Sequence, residues 1–106
     1  MGKLVRDGTP ELIQQSGRTP RFSVLGESDF RGALRDKLDE EATELRCADT
    51  RDEVLDEAAD VLEVLSEIVA LHKISLDAVV ARAHAKRSQR GGFTRRLWLE
   101  GVEPGS

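Results

Sequence analysis

Apolar residues recur at intervals of three and four through most of the chain, which is the spacing of one face of an α-helix. One such run covers Ser28 to Ala48, a second extends from Thr50 to Leu71, and a third runs from Ser75 to Gly91-Gly92. Thr50 and Ser75 are residues whose side chains cap the first turn of a helix, and glycines commonly end one. The pattern therefore predicts three long helices.

The segments on either side of these helices are shorter. Pro10 to Gln15, with Thr9 as its cap, predicts one short helix. Residues 93–100 alternate in part, which indicates a short strand or an extended arm, and residues 104–106 are expected to be a disordered tail. The sequence thus predicts an all-α fold, an antiparallel bundle of about four helices within a single domain of residues 1–103.

Composition narrows the functions open to this domain. The 16 Lys and Arg residues stand against 20 Asp and Glu residues, and the net charge of -4 disfavours binding to nucleic acid polymers or to anionic membranes. The single cysteine excludes an intrachain disulfide and a cysteine-rich zinc site. The chain has neither a signal-peptide pattern nor the ~18 consecutive apolar residues of a membrane span, so we expect a cytoplasmic protein.

Four acids fall on or beside the apolar faces of the two central helices. Glu41 lies inside the apolar arc of its helix and Glu44 at the edge, and Glu57 and Asp60 repeat this arrangement on the next helix. An unpartnered buried carboxylate is costly, and clustered carboxylates repel one another. Mg²⁺ or Mn²⁺, which prefer carboxylate oxygens, would compensate these charges.

An ordinary acidic bundle with Glu41 and Glu57 at its rim accounts for the same pattern without a metal. The last helix distinguishes the two interpretations, because its apolar stripe continues as the basic residues Lys86, Arg87 and Arg90. Attraction to the helix dipole explains these cations as a solvated helix end, but it does not explain the acids. The two clusters together favour a ligand with both metal-chelating and free phosphate oxygens.

These residues resemble the MazG-like nucleotide pyrophosphohydrolases of the all-α NTP pyrophosphatase superfamily. The resemblance spans nearly the whole chain and rests on Lys3 to Asp7, Lys37 to Glu44, Asp56 to Val64, and Lys86-Arg87 with Arg90 to Phe93. It implies hydrolysis of a nucleoside or deoxynucleoside triphosphate between its α- and β-phosphates, which yields a monophosphate and pyrophosphate. A house-cleaning role, the removal of unwanted nucleotides, would follow from that activity.

The resemblance also implies residue roles and an assembly. Glu41, Glu44, Glu57 and Asp60 would be Mg²⁺ ligands, with Mn²⁺ as a substitute, and the pair Glu41 and Glu44 would be catalytic, Glu44 as the acceptor of a proton from water. Substrate binding would fall to the basic residues Lys86, Arg87, Arg90, Lys37, Lys3 and Arg6. Oligomerisation as a homodimer or homotetramer would complete the bundle.

Two other functions remain open. A phosphoribosyl-ATP pyrophosphohydrolase of histidine biosynthesis shares the helical metal motif, although the Lys3-to-Asp7 opening and the Arg90-to-Phe93 close favour the nucleoside triphosphate enzymes. A non-catalytic helical dimerisation module is the other alternative. The chain departs from the resemblance at Gly8-Thr9, where a lysine and an apolar residue are expected, so no basic role is assigned to that position.

Overall fold

A computed structural model of the chain describes residues 2–105, and within that range it contains four α-helices and no strand. The helices are α1 (Thr9–Gln15), α2 (Glu27–Cys47), α3 (Arg51–Ala70) and α4 (Leu76–Arg90). The predicted all-α fold is confirmed, and the predicted helix ends agree with the observed ones to within one or two residues. Ser106 of the predicted tail lies outside the described residues.

Helices α2 and α3 form the packed centre of the chain. The link of residues 48–50 is too short for anything but an antiparallel return, so the two helices lie side by side along their length. Leu34 of α2 and Val64 of α3 are the buried apolar residues of the described chain, and Glu41 is buried with them. A charged group thus shares the interior of a helix pair whose apolar core is thin.

The ends of the helices are fixed by local hydrogen bonds. The Thr50 hydroxyl accepts a bond from the backbone N–H of Glu53 at 3.1 Å, and the Ser75 hydroxyl accepts one from Ala78 at the same distance, so both predicted caps are confirmed. The cap of α1 is Gly8, which offers no side-chain acceptor, and the predicted capping role of Thr9 is wrong because Thr9 is already helical.

The residues after α4 form an extended arm with one turn, in which the Arg96 N–H donates to the Phe93 carbonyl at 3.0 Å. Of the two predicted forms, the arm is the one found. Its apolar side chains are exposed, and Trp98 retains 87% of its surface. Since a strand needs a partner for its backbone groups, this isolated segment does not form one.

The chain is far less compact than its length allows. Its radius of gyration is 18.9 Å and its extents are 70 × 34 × 26 Å, whereas a compact domain of this length has a radius near ~13 Å. Helix α4 touches α3 over a small area only, and apolar side chains on α3 such as Leu55 and Leu62 stay exposed. Among residues 2–105, no helix is both long enough and apolar enough to cross a bilayer.

Candidate metal centre and phosphate site

Four carboxylates from α2 and α3 meet at one place between the helices. Glu41 and Glu44 of α2 and Glu57 and Asp60 of α3 each offer an oxygen, and these oxygens all lie within 4.8 Å of one another. Opposite ligands of an octahedral Mg²⁺ are about 4 Å apart, so small side-chain rotations would bring this set to a single ion. The structure therefore brings together all four predicted ligands, and their metal-binding role stays a prediction.

Two of these carboxylates have oxygens that nothing in the described chain compensates. The Oε2 atoms of Glu41 and Glu57 are buried and have no hydrogen-bond partner, and the Glu41 residue is only 6% exposed. Burial raises the pKa of Glu41, and the neighbouring Glu44 raises it further, while the bond from Lys37 lowers it. Because a buried acceptor without a donor is costly, these oxygens are ones that a bound cation would stabilise.

Two side chains already supply part of the positive charge. The Lys37 ammonium lies 3.3 Å from Glu41, and the Arg6 guanidinium donates a bond of 2.7 Å to Oδ1 of Asp60. This bond to Asp60 is the largest of the effects that raise the pKa of Arg6. Two cations against four carboxylates leave the cluster negative, which is the condition a divalent ion would relieve.

A cleft of ≈ 500 Å³ opens beside the cluster, between α2, α3 and the segment of residues 3–7. Three of the predicted phosphate-binding residues, Lys3, Arg6 and Lys37, line it together with Glu41 and Asp60. Its apolar side consists of Phe30, Leu34 and Val64. The cleft thus joins the carboxylates to a cationic wall and an apolar floor, the composition of a small-molecule site.

Glu63 and Glu67, to which the sequence pattern assigns no functional role, also line this cleft. They follow Asp60 at three and seven positions, which is the spacing of one helical stripe, so the signal was present in the sequence. This spacing is hard to recognise as a functional pattern because acids are frequent throughout the chain. These two carboxylates can accept hydrogen bonds from hydroxyl or amino groups of a ligand.

The remaining three predicted phosphate-binding residues lie elsewhere. Lys86, Arg87 and Arg90 line a separate hollow of ≈ 380 Å³ at the end of α4. The Arg87 guanidinium lies against Gly92, where an added Cβ would come within 3.0 Å of its Cζ atom. No residue lines both the cleft and this hollow, so a single chain divides the predicted basic set into two groups.

Comparison with known proteins identifies a family that the chain matches. Residues 10–87 match the family model described as "Phosphoribosyl-ATP pyrophosphohydrolase". An uncharacterized protein of Mycolicibacterium smegmatis (strain ATCC 700084 / mc(2)155) is 55% identical to this chain over 56 residues, which are 53% of this chain and 57% of that protein. The match thus spans little more than half the length of that relative, and no solved structure matches the chain.

Proposed function

The chain belongs to the phosphoribosyl-ATP pyrophosphohydrolase family, and from this premise we propose that it is a Mg²⁺-dependent pyrophosphohydrolase of nucleoside or deoxynucleoside triphosphates. The products would be a nucleoside monophosphate and pyrophosphate, and a house-cleaning role in the cytoplasm would follow. The observation that carries the proposal is the pair of buried, unpartnered oxygens of Glu41 and Glu57 within a cluster of four carboxylates.

Glu41, Glu57 and Asp60 would hold the metal, and Glu44 would complete the set. When bound, Mg²⁺ neutralises charge on the phosphate oxygens and acidifies a water molecule for in-line attack. Glu44 is the most exposed of the four carboxylates, so it is the one that water reaches and the one we assign to accept the proton. Mn²⁺, which shares the preference for oxygen ligands, would substitute.

Substrate would enter through the cleft. Lys3, Arg6 and Lys37 lie on its wall, where their charges attract the phosphate chain and offset repulsion from the acids. The apolar floor formed by Phe30, Leu34 and Val64 would receive the less polar part of the nucleotide.

A second copy of the chain would complete the assembly. Lys86, Arg87 and Arg90 of α4 do not line the cleft of their own chain, so a role on the same phosphates requires the α4 of another protomer. The extended shape and the exposed apolar residues of α3 and of the arm leave surface for such a contact. We therefore propose a homodimer or homotetramer with shared sites.

Phosphoribosyl-ATP is the second candidate substrate, because it is the one the matched family is named for. The match covers residues 10–87 and thus omits Lys3 to Asp7 and Arg90 to Phe93, the segments that favour nucleoside triphosphates. Both substrates carry a phosphoric anhydride, so the cluster would serve either one.

A pyrophosphate-release screen distinguishes these candidates. The full chain is incubated with each nucleoside triphosphate, each deoxynucleoside triphosphate and phosphoribosyl-ATP, with Mg²⁺ and with EDTA in its place. We expect Mg²⁺-dependent release from at least one triphosphate. Release from phosphoribosyl-ATP alone would select the second candidate, and no release from any compound would leave the non-catalytic dimerisation module as the better description.

A further inference from the structure

The segment of residues 3–7 is joined to the helices by a single polar side-chain link. Within residues 2–105, the Arg6–Asp60 bond is the only side-chain hydrogen bond or ion pair between residues more than four positions apart. The backbone of Arg6 also begins the turn into α1, since its carbonyl accepts from the Thr9 N–H at 3.0 Å. Among the described residues, Asp60 is therefore the only side chain that forms a hydrogen bond or ion pair with the Arg6 guanidinium, which lines the cleft.

This link uses a carboxylate of the proposed metal cluster. Asp60 contributes one oxygen to the group of four, and its Oδ1 receives the Arg6 bond at 2.7 Å. A guanidinium and a divalent cation on the same carboxylate repel each other, and that repulsion exceeds the small stabilisation of an ion pair whose partners are 61% and 37% exposed. A bound metal and Arg6 would therefore compete for Asp60.

Once released from Asp60, the Arg6 side chain would have a second binding partner in the cleft. Arg6 lines the same cleft as Lys3 and Lys37, where a phosphate chain would lie beside the metal. A guanidinium binds phosphate oxygens with two parallel hydrogen bonds. These bonds would compensate for the loss of the hydrogen bond to Asp60. Lys37 makes the corresponding contact on the other helix, with Glu41 at 3.3 Å, but both of these residues belong to α2, so their ion pair does not join a separate segment to the helices.

We propose that Arg6 is an exchangeable counter-ion: it occupies Asp60 while the cluster lacks a divalent cation, and it is transferred to a phosphate of the ligand once the cation binds. This inference rests on the metal site of the proposed function. It adds a coupling between the segment of residues 3–7 and the loading of that site, because the bond that links this segment to α3 is the bond that the cation would replace.

Calorimetric titration of the chelator-treated protein with Mg²⁺ alone tests the first half. Arg6→Gln is expected to bind Mg²⁺ about two- to fivefold more tightly than the wild type, the effect of removing a competing exposed ion pair. Arg6→Lys, which keeps a competing cation, should stay close to the wild type. Arg31→Gln is the matched control, since it breaks the 3.0 Å ion pair with Glu27 at the start of α2, and it should leave the affinity unchanged.

Titration of the Mg²⁺-loaded protein with inorganic pyrophosphate tests the second half. Arg6→Gln is expected to bind pyrophosphate about three- to tenfold more weakly than the wild type, and Arg6→Lys should recover part of the loss. A thermal melt of each variant confirms that the fold persists after replacement of this exposed side chain.

The outcomes separate this inference from the function on which it rests. Equal Mg²⁺ binding by Arg6→Gln would overturn the competition because Arg6 would then have no effect on the metal, and weaker binding would overturn it because Arg6 would then support Asp60 as a ligand. Unchanged pyrophosphate binding would overturn the transfer. Failure of the wild type to bind Mg²⁺ at all would overturn the proposed metal site together with this inference.

Discussion

The α2–α3 pair and the α4 helix with its following arm carry their charges in different surroundings. Between α2 and α3, carboxylates are drawn into a packed interface, and Glu41 and Glu57 have buried oxygens without partners. Every residue from 80 to 105 is exposed, including the cations of α4 and the apolar side chains of the arm. The first region is packed within one chain and has more carboxylates than cations, because Lys37 and Arg6 face four acids. The second region has cations but little packing within the chain.

This difference indicates which partner each region needs. A small ion would suffice for the α2–α3 pair, because oxygens of the four carboxylates already lie within 4.8 Å of one another. The α4 region would need a partner surface, since exposed apolar residues such as Phe93 and Trp98 are stabilised by burial and not by an ion.

The largest effect is expected at the cluster. Glu57→Gln keeps the shape of the side chain but removes a charge that the metal requires, so Mg²⁺-dependent pyrophosphate release should fall by about 100-fold or more. Asp56→Asn, the neighbouring exposed acid on α3, is the matched control and should retain activity. Retained activity in Glu57→Gln would contradict a metal role for the buried carboxylates.

Shared sites predict complementation between an impaired variant and an inactive one. Arg87→Gln should lower kcat/KM about tenfold, and Glu57→Gln should be inactive. In a dimer whose sites combine α4 of one protomer with the cluster of the other, an equal mixture after subunit exchange should regain roughly a quarter of wild-type activity. If the mixture shows no more than the average of its components, the basic hollow does not act on the partner's cluster.

In the metal-free protein, ionised Glu41 should lower the free energy of unfolding by an amount that depends on pH. Because its pKa is raised in the folded state, folding penalises the ionised form at neutral pH, and this penalty disappears as the pH falls towards the ordinary value of 4.5. Glu41→Gln should therefore be more stable than the wild type by about 1 kcal/mol at neutral pH in EDTA. Urea unfolding across the pH range measures this advantage.

The advantage of Glu41→Gln should shrink on acidification. Asp39→Asn, an exposed acid of the same helix, serves as the control and should alter stability by less than about 0.5 kcal/mol. An advantage that grows with falling pH would have the wrong sign for a carboxylate whose pKa is raised by burial.

The smallest effect concerns the link between the two regions. Lys73 adopts a left-handed conformation with φ 58, and the Ile74 N–H bonds back to the Val69 carbonyl at 3.0 Å, as at a helix end where glycine is favoured. Lys73→Gly should raise the free energy of unfolding by about 0.5 kcal/mol. His72→Gly, at a position with ordinary φ, should lower it, and thermal melts compare the two.

The sequence predicts the positions of the helices better than it predicts how the helices pack against one another. Periodicity and the caps Thr50 and Ser75 locate α2, α3 and α4 because these signals are local. The sequence also predicts that Glu41 and Glu57 are drawn into the interior, where the structure brings them together. An acid inside the apolar arc of a helix indicates burial, whichever element packs against that arc.

The contacts of Arg6 were not predictable in the same way. Arg6 and Asp60 are 54 positions apart, and no periodic pattern relates a residue of an irregular segment to a helix face. The division of the basic residues into two groups was missed for a related reason, because it depends on how far α4 lies from the α2–α3 pair. Long-range placement is decided by packing, which single-residue spacing does not encode.

The four carboxylates belong to two different helices, and this gives the proposed ion a mechanical role in addition to its chemistry. Ligation would cross-link α2 to α3 at a point where Leu34 and Val64 are the only buried apolar residues among those described. An ion present at 100 times its dissociation constant stabilises the folded state by about 2.7 kcal/mol, which is comparable to burying one large apolar side chain. The persistence of the helix pair would then vary with the supply of divalent cation in its surroundings.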